Sequence, residues 1–413
     1  MQTEGTVSYL ASDRVFEQYF TKPNIGDLLV DQLTLPDATH IIELGAGTGS
    51  LLASARRRWG TARLTSVDID PSLQMDGVAQ CGHRHIVLDV LSPNFRRSRR
   101  FEIETFDAAV CNPPYRNTAW TSSYRTLLKS VGLKAALPIM ECAVQADLIF
   151  LAHNLRLLRA GGQVGIIVPD GTVTGERSRP LREALLTEHA LHSVIELPER
   201  AFAGTDAKTY ILTLEKCGRT PHFIPLYRAD DAMELSTPIL ITPDEAGVRM
   251  DHRYYAWQRG VRRTHAIRLG DITGVEIIRG RWGASAARDA GLHLLHSTDV
   301  SDQSKNHLWH LSREPVSAVF GDAPRARRGD IVITRVGRRL EDKLARVGSG
   351  EAVISDCLYV VRGPTAVLKQ LWRSLKSQNG QAWLRAHARG VCAKVLNRSS
   401  LLDYPLSMES RYD

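Results

Sequence analysis

An Asn-Pro-Pro-Tyr turn in the chain has residue types suited to chemistry on an amine. Asn112, Pro113, Pro114 and Tyr115 directly follow the apolar run FDAAVC. An exocyclic amine is a poor nucleophile because its lone pair is delocalised. If the Asn112 side-chain oxygen and the Pro113 carbonyl accepted its two N–H bonds, the lone pair would be freed, and the Tyr115 ring could stack on a planar substrate. N-P and P-P pairs are also typical of ordinary turns, but this one follows a predicted central strand, where open α/β sheets bind ligands.

A glycine-rich turn lies upstream, in the segment IIELGAGTGSLL. Gly45 and Gly47 allow a tight turn and a close approach of the backbone to a ligand. About twenty residues later the next predicted strand ends at Asp68, which is placed to accept hydrogen bonds from ribose hydroxyls. A third predicted strand ends at Asp89, which could accept from an adenine amine. Together these residues predict a nucleoside site.

The charge of Glu43 bears on which nucleoside is bound. A dinucleotide such as NAD usually places its pyrophosphate on a G-x-G-x-x-G turn. Here the turn reads E-x-G-x-G-x-G, and a carboxylate would repel a pyrophosphate. S-adenosylmethionine carries a sulfonium and an ammonium group, so we expect it as the cofactor.

The elements that must position these residues alternate over the first ~220 positions. Seven apolar runs read as strands, and the helical patterns between them include IGDLLVDQL, SLLASARRRW and ADLIFLAHNLRLL. This alternation predicts an α/β fold with a doubly wound, Rossmann-like sheet. Residues 226–250 fall in a proline-containing stretch that reads as a linker. An α+β domain follows over 251–413, with one long helix from Thr365 to Ala388.

The N-terminal part resembles the γ-class adenine-N6 DNA methyltransferases. The resemblance rests on FEQYFTKP at 16–23, the glycine-rich turn, Asp68, Asp89, NPPY, LRLLRAGGQVGIIVPDG and LPERAF. ELGAGTG replaces the family's commoner D-P-x-C-G-x-G, and a lysine interrupts its usual F-T-P. The resemblance implies a methyltransferase domain over residues 1–225, which transfers a methyl group to the N6 amine of a flipped adenine.

The same resemblance assigns residues to the site. The catalytic turn would be Asn112, Pro113, Pro114 and Tyr115, with Phe202 packing against the extruded base. The cofactor pocket would comprise Tyr19, Phe20, Thr21, Glu43, Gly45, Gly47, Asp68, Ile69, Asp89, Val90 and Phe150.

The second half resembles one target-recognition domain of the Type I restriction specificity subunits. Segments such as RLGDITGVEIIRGR, RARRGDIVITRVGR and RGVCAKVLNRSSLLDYPL occur in the expected order. Residues 251–413 carry a net charge of +11 and residues 1–250 one of −3, which is consistent with a polyanion held by the second half. The candidates for DNA contact are Arg279, Arg281, Arg327, Arg328, Arg335 and Arg338.

Composition excludes several classes of protein. A hydrophobic content of 43% with 24% charged residues is globular rather than disordered. No apolar run approaches the ~18 residues of a membrane span, and the first residues do not resemble a signal peptide. Six cysteines without a C-x-x-C pair indicate reduced thiols and a cytoplasmic protein. His83/His85 and His293/His296 have no third ligand nearby in the sequence, so we expect no metal site.

The favoured hypothesis is therefore a sequence-specific DNA methyltransferase of a restriction-modification or related defence system. Its partners would be double-stranded DNA and either a separate restriction endonuclease or a second methyltransferase chain. A methyltransferase acting on RNA or on a protein glutamine amide shares the NPPY turn and stays an alternative. A non-catalytic DNA-binding subunit is the third.

Overall fold

The protein was analysed as a computed structural model. The structure describes residues 21–72, 82–202, 205, 207–260, 266–289, 294–300, 308–311, 322–390 and 393–407. The chain divides into two compact units, Met1–His252 and Arg253–Asp413. The division falls close to residue 251, where the sequence predicted the second domain to begin.

A nine-stranded sheet forms the centre of the N-terminal unit, in the order β11-β10-β8-β9-β7-β4-β1-β2-β3. Strands β1, β2, β3, β4 and β7 pair in parallel, while β9 runs antiparallel to both β7 and β8. Strands β5 and β6 form a separate two-stranded sheet. The strands are β1 His40–Leu44, β2 Arg63–Asp68, β3 His83–Val87, β4 Phe106–Cys111, β5 Asn117–Ala119, β6 Ala143–Gln145, β7 Leu158–Pro169, β8 His189–Glu196, β9 Thr209–Lys216, β10 Ile224–Arg228 and β11 Ile239–Ile241.

Helices pack with this sheet, which explains why the residues of its strands are buried in succession. They are α1 Pro23–Asp31, α2 Ser50–Arg58, α3 Ser122–Ser130, α4 Ala146–Leu157, α5 Asp170–Thr174, α6 Arg179–Glu188 and α7 Pro243–Val248. Four successive residues of β1, from Ile41 to Leu44, are buried, as expected for a strand covered on both faces. The predicted α/β class and doubly wound sheet are confirmed.

The predicted linker over residues 226–250 is wrong. This stretch holds most of β10, all of β11 and helix α7, and β10 pairs in parallel with β8 through Leu226–Arg228. Two prolines in and beside this stretch favoured a linker, but each occupies a position that its element tolerates. Pro225 precedes the residues paired with β8, and Pro243 is the first residue of α7.

The C-terminal unit is built around a five-stranded sheet in the order β13-β20-β16-β18-β14. Its helices are α8 His252–Gly260 at the boundary, α9 Ala284–Asp289, α10 Thr365–Lys376, α11 Gln378–His387 and α12 Arg398–Leu402. Its strands are β12 Ala266–Arg268, β13 Glu276–Arg279, β14 Leu308–His310, β15 Arg325–Arg327, β16 Ile331–Thr334, β17 Val336–Gly337, β18 Leu344–Ser349, β19 Glu351–Val353, β20 Leu358–Arg362, β21 Lys394–Val395 and β22 Pro405–Ser407. Helices and a largely antiparallel sheet give the predicted α+β character.

The single helix predicted from Thr365 to Ala388 is two helices. The chain is extended at Ser377, with φ −71° and ψ 162°, and the Ser377 hydroxyl accepts a hydrogen bond from the backbone N–H of Gly380. Serine is a strong N-cap residue, so it ends one helix and starts the next without breaking the apolar periodicity. No helix in the described ranges combines the length and apolar character needed to cross a membrane.

Candidate active site

A cleft opens at one edge of the N-terminal sheet, beyond the carboxyl ends of β1, β2, β3 and β4. Because these four strands are parallel, their last residues meet at this edge. The residues that line the cleft are Thr21, Glu43, Gly45, Ala46, Gly47, Thr48, Ser50, Asp68, Ile69, Leu88, Asp89, Val90, Leu91, Asn112, Pro113, Pro114, Tyr115, Arg116 and Phe150.

The glycine-rich turn forms one wall of the cleft. Gly45, Gly47 and Gly49 all have positive φ angles, of 73°, 51° and 80°. A Cβ atom on Gly45 would lie 3.1 Å from the ring of Phe150. The turn therefore needs glycine at Gly45 both for the backbone conformation and for the close packing of Phe150.

Asp68, at the end of β2, holds this turn in place. One carboxylate oxygen accepts the Gly47 N–H at 2.8 Å, and the other accepts the Asp70 N–H at 3.0 Å. Asp89, beyond β3, accepts the Leu91 N–H at 2.8 Å. Each carboxylate is thus fixed by backbone donors while lining the cleft.

Glu43 is the most buried acid of the cleft, with 2% of its surface exposed. Burial raises the pKa of Glu43 well above its ordinary value, and nearby Asp68 raises that pKa further. A hydrogen bond from the Leu52 N–H to the carboxylate opposes this shift. An anionic group beside Glu43 would add to the repulsion, whereas a cation would favour the ionised carboxylate.

These features fit S-adenosylmethionine. The carboxylates of Glu43, Asp68 and Asp89 line the cleft, where they would face the positive charge and hydroxyl groups of this ligand. Ile69, Val90 and Phe150 supply apolar lining for an adenine ring. The glycine-rich turn allows the ligand to approach the backbone closely.

Neighbouring side chains fix the amide of Asn112. Its nitrogen donates to the Thr21 hydroxyl at 3.1 Å, and its oxygen accepts the Tyr115 hydroxyl at 3.1 Å. Tyr115 is half-buried, and burial together with nearby Asp147 raises the pKa of Tyr115 well above its usual range. The hydroxyl therefore stays protonated, and by donating to the Asn112 oxygen it fixes the orientation of the amide.

Sequence reasoning missed Asp147, a buried carboxyl beside this turn. The preceding Ala146 donates its N–H to the Arg116 carbonyl at 2.9 Å, which joins the start of α4 to the end of the turn. One Asp147 oxygen accepts the Thr172 hydroxyl at 3.1 Å, while the other is buried without a partner. Burial raises the pKa of Asp147 to about 6. An acid inside the helical run ADLIFLAHNLRLL was the available signal.

Not every predicted cofactor-binding or base-contacting residue can be assigned to the cleft. Tyr19 and Phe20 lie outside the described residues. Phe202 is 3% exposed and belongs to a hydrophobic core cluster against which Tyr115 packs, but it does not line the cleft. The other predicted cofactor residues and the four residues of the turn all line it.

The predicted DNA-contacting arginines differ in their surroundings. Arg279, Arg281, Arg327, Arg328 and Arg338 are exposed on the second unit. Arg335 is half-buried, and its guanidinium donates to the Asp356 carbonyl at 2.6 Å. Arg335 therefore has a structural bond that the sequence pattern did not reveal. No cluster of three or more potential metal ligands occurs within the described residues.

Comparison with known proteins relates the chain to several methyltransferases. The Type II methyltransferase M.CvrRI of Paramecium bursaria Chlorella virus XZ-6E is 22% identical over 55% of this chain and 54% of its own length. The methylase subunit of the Type I restriction enzyme EcoEI of Escherichia coli is 33% identical over 27% of this chain and 21% of its own. The tRNA1(Val) (adenine(37)-N6)-methyltransferase of Vibrio parahaemolyticus is 29% identical over 22% of this chain and 39% of its own.

The chain spans about half or less of the length of these curated relatives. The matching family is N-6 DNA Methylase, whose model covers residues 85–235, including β4, the Asn112–Tyr115 turn and the paired strands β7, β8 and β9. The match to this family is thus confined to residues 85–235, a little over a third of the chain.

Proposed function

We propose that the chain is a sequence-specific DNA methyltransferase that transfers a methyl group from S-adenosylmethionine to the N6 amine of an extruded adenine. One observation carries this proposal: the amine-accepting Asn112–Tyr115 turn and the acidic pocket of Glu43, Asp68 and Asp89 line a single cleft. A nucleoside cofactor and a planar amine could meet there within reaction distance. The N-6 DNA Methylase match over residues 85–235 supports the same chemistry.

The turn would polarise the target amine. The Asn112 oxygen and the Pro113 carbonyl would accept its two N–H bonds, so that the nitrogen lone pair faces the methyl group. In the structure the Asn112 oxygen accepts a hydrogen bond from the Tyr115 hydroxyl. Binding of the base would add to or replace this bond, while the Tyr115 ring stacks on the base.

The cofactor pocket would be formed by the residues of the cleft together with the segment before it. S-adenosylmethionine supplies an electrophilic methyl group on its sulfonium. Glu43 would face the positive charge of the ligand, and Asp68 and Asp89 would accept from its hydroxyl and amino groups. The proposed set is Tyr19, Phe20, Thr21, Glu43, Gly45, Gly47, Asp68, Ile69, Asp89, Val90 and Phe150.

The second unit would hold the duplex and read its sequence. Its net charge of +11 over residues 251–413 suits a DNA backbone, and exposed arginines such as Arg281, Arg327 and Arg328 are candidates for phosphate contact. The similarity to Type I and Type II enzymes supports a place in a restriction-modification system. Its partners there would be a separate endonuclease or a second methyltransferase chain.

RNA is the second candidate substrate. The specific observation in its favour is the 29% identity, over 102 residues, to a tRNA adenine-N6 methyltransferase. That match covers 22% of this chain and 39% of the tRNA enzyme, so it accounts for a minor part of either protein.

One assay compares the substrates. The purified chain is incubated with S-adenosylmethionine and either plasmid DNA, total RNA or a glutamine-containing protein, and the products are digested and analysed by mass spectrometry. We expect N6-methyldeoxyadenosine from DNA. N6-methyladenosine from RNA alone, or methylglutamine alone, would overturn the proposal, as would no product from any substrate by a chain that binds the cofactor.

A further inference from the structure

A long excursion of the chain leaves the cleft directly after the Asn112–Tyr115 turn and returns to it. We call residues 116–145 the cleft excursion. At its base the Ala146 N–H donates to the carbonyl of Arg116, and Arg116 itself lines the cleft. Strands β5 and β6 then pair, and the ladder extends to a bond from the Trp120 N–H to the Cys142 carbonyl, at 3.3 Å. Helix α3 of the excursion packs against α4, and this packing holds the excursion against the rest of the unit.

Two strongly exposed apolar side chains lie next to the end of this ladder. Ile139 is 103% exposed and Met140 is 75% exposed. The other large apolar residues on the described surface are 41% to 52% exposed. Single exposed apolar residues are common on protein surfaces. Two adjacent apolar side chains with exposed fractions this high are instead typical of a contact site for another molecule.

The excursion is also basic. Residues 116–145 carry a net charge of +3, from Arg116, Arg125, Lys129 and Lys134 against Glu141. Glu141 pairs with Arg125. A basic surface with an apolar tip suits a phosphate backbone with stacked bases inside it.

We propose that Ile139 and Met140 form a wedge that enters the base stack of duplex DNA and fills the gap left by the extruded adenine. The inference rests on the proposed function. Extrusion breaks the stacking on both sides of the target base, and apolar side chains that enter such steps offset part of that cost. The ladder from Arg116 to Trp120 spans about 14 Å at the rise of a strand, and Ile139 and Met140 lie within three residues of its end at Cys142, so the wedge is tethered to the pocket that would receive the base.

The test uses the full chain and a duplex that contains its mapped target. The variant is Ile139→Ser/Met140→Ser. The matched control is Ile103→Ser, because Ile103 is 52% exposed but precedes β4, at the opposite edge of the sheet. Two readouts are compared: methyl-transfer rate, and fluorescence of 2-aminopurine placed at the target base, which rises when the base is unstacked. A second duplex carries a mismatch opposite the target adenine.

We expect the double variant to bind S-adenosylmethionine normally but to lose roughly tenfold or more in both readouts on the matched duplex, since unstacking costs a few kcal/mol. The mismatched duplex, which is cheaper to open, should restore most of the rate. The Ile103→Ser control should behave as the wild type does on both duplexes.

Several results would overturn the wedge. One is an unchanged rate and fluorescence in the double variant, and another is an equal loss on matched and mismatched duplexes. A change in oligomeric state by light scattering with unchanged methylation would assign the tip to a second protein chain instead. Failure of the proposed function would look different, because the wild-type chain would then methylate neither duplex.

Discussion

At the scale of residues, the Asn112 amide shows how the turn is prepared before a substrate arrives. Its nitrogen is held by Thr21 and its oxygen by the Tyr115 hydroxyl. An amide without such partners would populate two flipped orientations, only one of which accepts from an amine. The sequence predicted the role of the Tyr115 ring, but the orienting role of its hydroxyl depends on a contact between side chains.

Glu43 leads to a prediction about cofactor affinity and pH. Its pKa is raised by burial, so below that pKa the carboxyl is neutral, and a cationic ligand must ionise it. Affinity for S-adenosylmethionine should therefore rise with pH up to the pKa of Glu43, and binding should release a proton. Calorimetry in buffers of different ionisation enthalpy measures this release.

Glu43→Gln should bind the cofactor more weakly and without proton release. Equal pH dependence in Glu43→Gln and wild type would show that another group is responsible.

Asp147 leads to a prediction about stability. Its folded-state pKa of about 6 lies above the unfolded value, so the fold loses stability as the pH rises from the unfolded pKa to the folded pKa, and the loss is complete above about pH 6. Between pH 5 and pH 8 the further loss should amount to roughly 1 kcal/mol. Asp147→Asn should remove the whole loss, so the gain in stability of the variant over wild type should be larger at pH 8 than at pH 5 by roughly 1 kcal/mol.

Urea unfolding at both pH values measures the difference. Asp37→Asn, which alters an exposed carboxyl of the same unit, is the control and should show no such trend. A gain for Asp147→Asn of the same size at both pH values would contradict the assignment.

At the scale of elements, the turn between β1 and α2 combines strain with packing. Gly45→Ala would place a side chain at φ +73° and 3.1 Å from the Phe150 ring, which lines the cleft. A left-handed conformation costs an L-residue roughly 1–2 kcal/mol, and Phe150 must also move. Cofactor affinity should therefore fall about tenfold or more.

Gly60→Ala is the matched control, because a Cβ atom there meets open space and the backbone is not left-handed. Its cofactor dissociation constant should equal that of the wild type. If Gly45→Ala and wild type had similar affinities for the cofactor, the turn would not be in close contact with the ligand.

The sequence was most informative where burial is continuous and least informative at the edges of elements. The runs that became β1, β2 and β4 are buried over most of their length because both sheet faces are covered, and their ends placed Asp68 and Asn112 at one edge. β10 was hidden because it contains Pro225, and β11 because it has only three residues and lies between Pro238 and Pro243. The break at Ser377 was hidden because the apolar period runs through it. Phe202 was named from its motif as a residue that packs against the base, although an aromatic side chain taken singly favours the core, where the structure buries it.

At the scale of the whole molecule, the corrected boundary changes where the chain should be divided. A fragment ending at residue 225 would cut β10 and remove β11 and α7, leaving a sheet edge and apolar surface uncovered. We expect that fragment to aggregate, whereas residues 1–252 should remain folded and bind S-adenosylmethionine. Residues 1–252 should lack sequence-specific DNA binding, because the positive charge lies in the second half.

Light scattering, calorimetry and electrophoretic mobility shifts measure these properties. The full chain should bind its target with a strong salt dependence, each neutralised phosphate contributing a slope of about −0.9. Sequence-specific binding by residues 1–252 would contradict the assignment of recognition to the second unit.

The most direct test of the account is to map methylated adenines on plasmid DNA by single-molecule sequencing after reaction with the full chain and with Asn112→Ala. The account predicts N6-methyladenine at every copy of one short sequence with the wild-type chain. It predicts no methylation above background with Asn112→Ala, whose cofactor affinity should stay within a few-fold of normal, since the lost bonds form chiefly in the transition state. Methylation by Asn112→Ala at near wild-type levels, or wild-type methylation scattered without a common sequence, would contradict it.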